Sequence, residues 1–149
     1  MAIDAGLWAW IQPVWKTIKE LHAERVENSV GSGTPDVDGC YKGSAFKIEL
    51  KRGVTFKTSD EVEITFRKAQ PGWLKSRWNA GGNAWVLIKT GMAAKMKVYL
   101  IRGCDIGKLR LDGEKSIWRT NERHLSDISV IAPNAKPEDI LRAAAGISF

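Results

Sequence analysis

Apolar and charged residues alternate one for one along Phe46-Lys47-Ile48-Glu49-Leu50-Lys51, the period of a half-buried strand whose successive side chains point to opposite faces. Phe46, Ile48 and Leu50 therefore anchor the strand in a core, and Glu49 and Lys51 share its other face. Upstream, Pro35 has a fixed φ and pushes Thr34 towards extended backbone, so a strand begins at or just after Asp36. Gly39, Lys42, Gly43 and Ser44 supply a turn between the two strands. The pattern predicts a hairpin that brings Asp36 and Glu49 to the same side.

Other periods place the remaining elements. Leu7, Ile11, Val14, Trp15, Ile18, Leu21 and His22 recur at three- and four-residue steps, which predicts helix over 4–24 with Asp4 as its cap. Pro13 inside this pattern either kinks one helix or starts a second. Gly31-Ser32-Gly33 reads as a loop, and 52–64 as a polar surface loop with room for a short strand. Residues 66–80 read as a helix stopped by Gly81-Gly82, with Pro71 tolerated in a first turn that starts around Lys68 to Gln70. Ala84–Ile88 is a nearly continuous apolar run, as in a strand buried on both faces. Met96–Ile101 reads as a further strand after a turn at Gly91–Lys95. Weaker signals suggest an edge strand around Leu109–Leu111, another over Ile128–Ile131, and a C-terminal helix over Pro137–Ala144. The order helix, strand, strand, helix, strand, strand predicts an α/β fold, a mixed sheet flanked by helices.

The chemistry follows from the hairpin. Two carboxylates brought together repel unless a cation lies between them, and an oxygen-only pair suits a hard divalent ion, Mg²⁺ or Mn²⁺. Lys51, on the same strand face as Glu49, is placed to touch a water or phosphate beside that ion. The composition is compatible: 149 residues fit one domain, 1–149, and 23 Lys and Arg against 17 Asp and Glu give a net charge of +6, which suits a polyanionic partner. The seven tryptophans read mainly as packing anchors. Cys40 and Cys104 have no metal-site spacing and read as reduced thiols, and His22 and His124 stand outside any motif. With no apolar run of membrane length and no signal-peptide pattern at the start, the expected compartment is the cytoplasm, a host's if the gene is viral.

Five stretches, Arg25-Val26-Glu27-Asn28, Gly33-Thr34-Pro35-Asp36-Val37, Ile48-Glu49-Leu50-Lys51, Gln70-x-x-Trp73 and Gly81-Gly82, together resemble the PD-(D/E)xK nuclease superfamily. The nearest branches are its small virus-type replication-repair and Holliday junction resolvase-like members, many of them phage-encoded. The resemblance spans roughly residues 24–90, and Pro71-Gly72 departs from it. It implies a restriction-endonuclease-like fold and a Mg²⁺-dependent endodeoxyribonuclease, with Mn²⁺ as a substitute. In that reading Asp36, Glu49, Glu27 (Glu24 as fallback) and the Leu50 carbonyl hold the metal. Lys51 orients the water or stabilises the transition state. Gln70 positions the water or the phosphate, although a helix-capping amide explains it equally well. Lys42, Arg52, Lys57, Arg67, Lys68, Lys75 and Arg77 are the candidates for phosphate contacts. The implied substrate is branched DNA cut by a homodimer; a non-selective or nicking nuclease and a non-catalytic nucleic-acid-binding module are the alternatives.

Overall fold

The computed structural model describes residues 6–26 and 33–146. The expected cap Asp4, the candidate ligand Glu27 with its neighbour Asn28, and most of the Gly31-Ser32-Gly33 loop lie outside the described residues. In chain order the elements are α1 (Leu7–Trp15), β1 (Leu21–Arg25), β2 (Val37–Tyr41), β3 (Ser44–Arg52), β4 (Val54–Thr55) and β5 (Glu61–Thr65). After them come α2 (Gln70–Asn79), β6 (Asn83–Thr90), β7 (Lys97–Arg102), β8 (Asp112–Glu114), β9 (Ile117–Asn121), α3 (Glu122–Ile128) and α4 (Pro137–Ala145).

Five strands in the order β1-β2-β3-β6-β7 form the central sheet. β1, β2 and β3 are antiparallel neighbours, β3 and β6 run parallel, and β6 and β7 are antiparallel. The fold is therefore mixed α/β, as expected. The parallel step from β3 to β6 needs a long crossover, and this one carries β4, β5 and α2. β4 and β5 join β9 and β8 in a second, four-stranded sheet.

Alternation along β3 sorts its side chains into two cores. Phe46, Ile48 and Leu50 join Leu7, Ile11 and Trp15 of α1 and Ile140, Leu141 and Ala144 of α4 on one face. Val86 and Ile88 of β6 turn to the other face, where they meet Val62 and Ile64 of β5, Phe66, Leu74 of α2 and Trp118 of β9. Glu49 pairs with Val86 and Lys51 with Ile88 in the ladder, so both acid and lysine lie on this second face, between the two sheets. The tryptophans act as packing anchors: Trp15 Nε1 donates to Pro137 O at 2.8 Å and Trp85 Nε1 to Ala144 O at 3.1 Å.

Four expectations need correction. The first helix is one short element that ends at Trp15, two residues past Pro13, and Leu21–Arg25 is a strand. Thr17 Oγ1 donates to Val14 O at 2.7 Å, satisfying a carbonyl at the helix end, and Glu20 turns the chain at φ 67°. Ile18 and Leu21 still pack on the first core, which is why they mimic a continued helical stripe. The second correction falls in 52–64, where the loop with room for one short strand holds two, β4 and β5. Glutamate disfavours strands, but the whole propensity scale spans only ~1 kcal/mol, whereas burying Val62 and Ile64 completely contributes about 2 kcal/mol each. Burial wins.

The third concerns 103–119: Gly103–Leu109 is a 3-10 helix, and the strands fall later, at β8 and β9. The fourth concerns Ile128–Ile131, where Ile128 ends α3 and the next residues run along β7, with the Val130 N–H donating to Leu100 O at 2.9 Å. The helix start near Gln70, the buried β6, β7 and α4 agree with the pattern.

Candidate active site

The β2–β3 register pairs Val37 with Ile48, so Asp36, one residue before β2, falls opposite Glu49 at the same end of the hairpin. The Leu50 N–H donates to Asp36 Oδ2 at 3.0 Å and fixes that carboxylate to the neighbouring strand. Gly33 makes the close approach of this loop to α2 possible: at φ 71° it has a left-handed backbone, and a Cβ there would lie 2.7 Å from Ala69 O. The start of α2 is thereby tied to the Asp36 loop.

Glu49, Lys51 and Gln70 are 1%, 4% and 5% exposed. Gln70 joins them: its Oε1 accepts from Lys51 Nζ at 2.8 Å and from the Arg67 N–H at 2.8 Å, and its Nε2 donates to Glu49 Oε2 at 2.8 Å. A backbone N–H only donates, so Arg67 fixes which end of the amide is oxygen and leaves the NH₂ to face Glu49. Lys51 Nζ also lies 3.4 Å from Glu49 Oε2. That oxygen is thus committed to the scaffold, while Glu49 Oε1 is buried with no hydrogen-bond partner. An unpartnered buried carboxylate oxygen is costly.

The electrostatics follow from burial. Desolvation first, and the Asp36 charge second, push the Glu49 carboxyl from 4.5 up to about 8, against the pull of Lys51. Burial lowers Lys51 from its ordinary value, opposed by the Glu49 and Asp36 charges and assisted by Arg67. With the folded value of Glu49 above the unfolded one, its contribution to stability is fully present below pH 4.5 and is lost as pH rises through 8, at about 1.4 kcal/mol per pH unit between the two. Glu49→Gln removes this dependence. The gap in denaturant-unfolding stability between Glu49→Gln and the parent, without divalent ions, is therefore expected to widen in favour of the variant from pH 5 to pH 8; a gap constant with pH contradicts it.

The donor set fits a divalent cation. Asp36 and Glu49 converge, one Glu49 oxygen is orphaned, and Mg²⁺ is commonly held by one or two carboxylates with waters and substrate phosphate completing its shell. Among the described residues no three His, Cys, Asp or Glu side chains form a closed metal cluster. Glu24 is exposed on β1 opposite Asp38, two positions or about 7 Å along the strand from Val26, whose N–H donates to Asp36 O at 2.7 Å.

The basic candidates scatter. Arg67 and Lys68 are exposed just before Gln70, and Lys75 and Arg77 are exposed along α2, with the Arg77 guanidinium 4.6 Å from the Trp73 ring centroid. Lys57 is exposed in the β4–β5 turn. Arg52 is exposed at the end of β3 but belongs by alternation to the face away from Lys51. Lys42 sits in the β2–β3 turn, six residues or about 20 Å from Asp36, so it is not beside the carboxylates. Phe66, expected as the first residue of the 66–80 helix, instead precedes it and lies 5.0 Å from Lys51 Nζ. Its signal was the alternation Val62, Ile64, Phe66, which continues straight into the Arg67–Gln70 segment.

No protein-family model and no curated protein matches the chain. Among solved structures its fold is shared with Hjc, a Holliday junction resolvase from Archaeoglobus fulgidus, at a TM-score of 0.52 and 15% identity over 99% of this chain and 95% of that one. The bacterial homing endonuclease I-Ssp6803I aligns at a TM-score of 0.47 and 13% identity, over 96% of this chain and 91% of that one. At these identities the likeness concerns the fold.

Proposed function

We propose that this chain is a metal-dependent endodeoxyribonuclease that hydrolyses phosphodiester bonds in branched DNA of the Holliday junction type. The observation that carries the reading is the pairing of the buried Glu49 and Lys51 with the half-buried Asp36 at one end of the hairpin, with Glu49 Oε1 unpartnered. Buried polar side-chain atoms are mostly hydrogen-bonded, so a bare carboxylate oxygen beside a second carboxylate calls for a partner from outside the chain. Asp36 and Glu49 Oε1 would hold Mg²⁺ or Mn²⁺, with the Leu50 carbonyl as a further ligand and Glu27, which directly follows Val26, as the acid that would complete the set. When bound, the cation supplies Lewis acidity to a water nucleophile and to the charge that develops on the attacked phosphate.

The chain's own residues do the rest. Lys51, held by Gln70 Oε1 and Glu49 Oε2, presents a fixed positive charge to the attacking water or to the phosphoryl oxygens. Gln70 keeps Glu49 Oε2 occupied, which leaves Oε1 as the oxygen that would take the cation. Arg67, Lys68, Lys75 and Arg77 contact the phosphate backbone, which gives affinity and salt dependence with little sequence information. The products are a 5′-phosphate and a 3′-hydroxyl. Symmetric cutting of a four-way junction needs two such sites, hence a homodimer. The fold shared with a resolvase supports the junction over other DNA.

Cleavage of matched synthetic substrates tests the reading: a four-way junction, a linear duplex and a single strand, each with Mg²⁺, Mn²⁺ or EDTA. Paired metal-dependent cuts confined to the junction are expected. Equal cutting of all three removes the selectivity, and no cutting by folded protein that binds DNA leaves a binding module.

A further inference from the structure

Lys51 is almost fully buried, and a buried ammonium must replace the water it has lost around three N–H donors. Gln70 Oε1 accepts at 2.8 Å and Glu49 Oε2 lies at 3.4 Å. A third neighbour is aromatic: the Phe66 ring centroid is 5.0 Å from Nζ, within the range where the negative face of a ring attracts a cation, most strongly when both are dry. Phe66 is itself fixed. It is 1% exposed, its N–H donates to Ser116 O at 2.8 Å, and its ring meets Trp118 at 4.7 Å between centroids. The next residue, Arg67, donates its N–H to the same Gln70 oxygen that accepts from Lys51. One short segment, 66–70, thus supplies both the ring and the oxygen that hold the ammonium, and the second sheet, through Trp118 and Ser116, holds the segment.

We propose that Phe66 is a positioning residue for Lys51: its ring face holds the ammonium where the reaction needs it, and the second sheet, which fixes the ring, acts on catalysis through this contact. The inference rests on the reading that Lys51 takes part in phosphodiester cleavage.

Ring fluorination tests it, because fluorine drains the charge of the ring face while nearly keeping its shape. With phenylalanine, 4-fluorophenylalanine and 3,4,5-trifluorophenylalanine at position 66, kcat on the cleaved DNA is expected to fall stepwise, to about a tenth at the third, with KM unchanged. The Lys51 side-chain NMR resonance, assigned by its loss in Lys51→Ala, is expected to move in the same order. A kcat flat across the series overturns the proposal, as does a fall in kcat with an unmoved Lys51 resonance, which makes Phe66 a packing residue only. Failure of the underlying reading looks different: Lys51→Ala cuts at the parental rate, or the parent cuts nothing. In those cases a resonance that shifts with fluorination still upholds the contact, and one that does not overturns it.

Discussion

Glu49→Gln is expected to lower Mg²⁺-dependent cleavage by about 1,000-fold or more, the scale of several kcal/mol of lost charge stabilisation, while the protein folds at least as stably as the parent. The two effects come from one cause. Glu49 is 1% exposed and its Oε1 has no partner, so without a cation the carboxylate is a liability that burial and Asp36 push up to about 8. Glutamine keeps the shape and an acceptor for Gln70 Nε2 but removes the charge that a cation needs. Asp36→Asn is expected to lose cleavage to a similar degree; its side-chain oxygen still accepts from the Leu50 N–H at the 3.0 Å position, so the loop stays in place. Timed gel assays of cleavage beside urea unfolding curves check both. A variant that cuts at the parental rate removes that carboxylate from the site.

Lys51→Ala is expected to slow cleavage by about 100-fold, the cost of deleting one preorganised electrostatic contact to a transition state, and to affect cation binding far less. The ammonium lies 2.8 Å from Gln70 Oε1 and 3.4 Å from Glu49 Oε2, so it is fixed before substrate arrives and loses no ordering free energy during the reaction. Its removal leaves Gln70 Oε1 still accepting from the Arg67 N–H, and the amide therefore keeps its orientation towards Glu49. Single-turnover cleavage at saturating Mg²⁺ measures the effect on the chemical step, and an unchanged rate takes Lys51 out of the mechanism.

What was legible in the sequence was local. The strict alternation from Phe46 to Lys51 needs no partner to be read, and with Pro35 and the Gly43 turn it placed Asp36 opposite Glu49, as the register shows. The continuous apolar run of β6 was legible for the same reason: a strand buried on both faces carries its own signal. The misses are long-range. β5 owes its existence to β9, whose Thr120 pairs with Val62, and a window around Glu61–Thr65 contains nothing of that partner. Ile18 and Leu21 reach the first core across a turn, and a three- to four-residue spacing cannot distinguish that from one more turn of helix. Phe66 beside Lys51 is also the product of two sheets packing together, visible only once the second sheet exists. The acid expected at Glu27 falls outside the described residues.

Cation binding itself is the most direct test of the central claim, that Asp36 and Glu49 form a metal site rather than a buried structural network. Titration of the parent, Asp36→Asn and Glu49→Gln with Mn²⁺ at pH 7, with free ion read by electron paramagnetic resonance, separates the two without any substrate. Stoichiometric binding by the parent, weakened at least about tenfold in each variant, is the result this account predicts. Equal Mn²⁺ binding by all three proteins, or none by the parent, would contradict it.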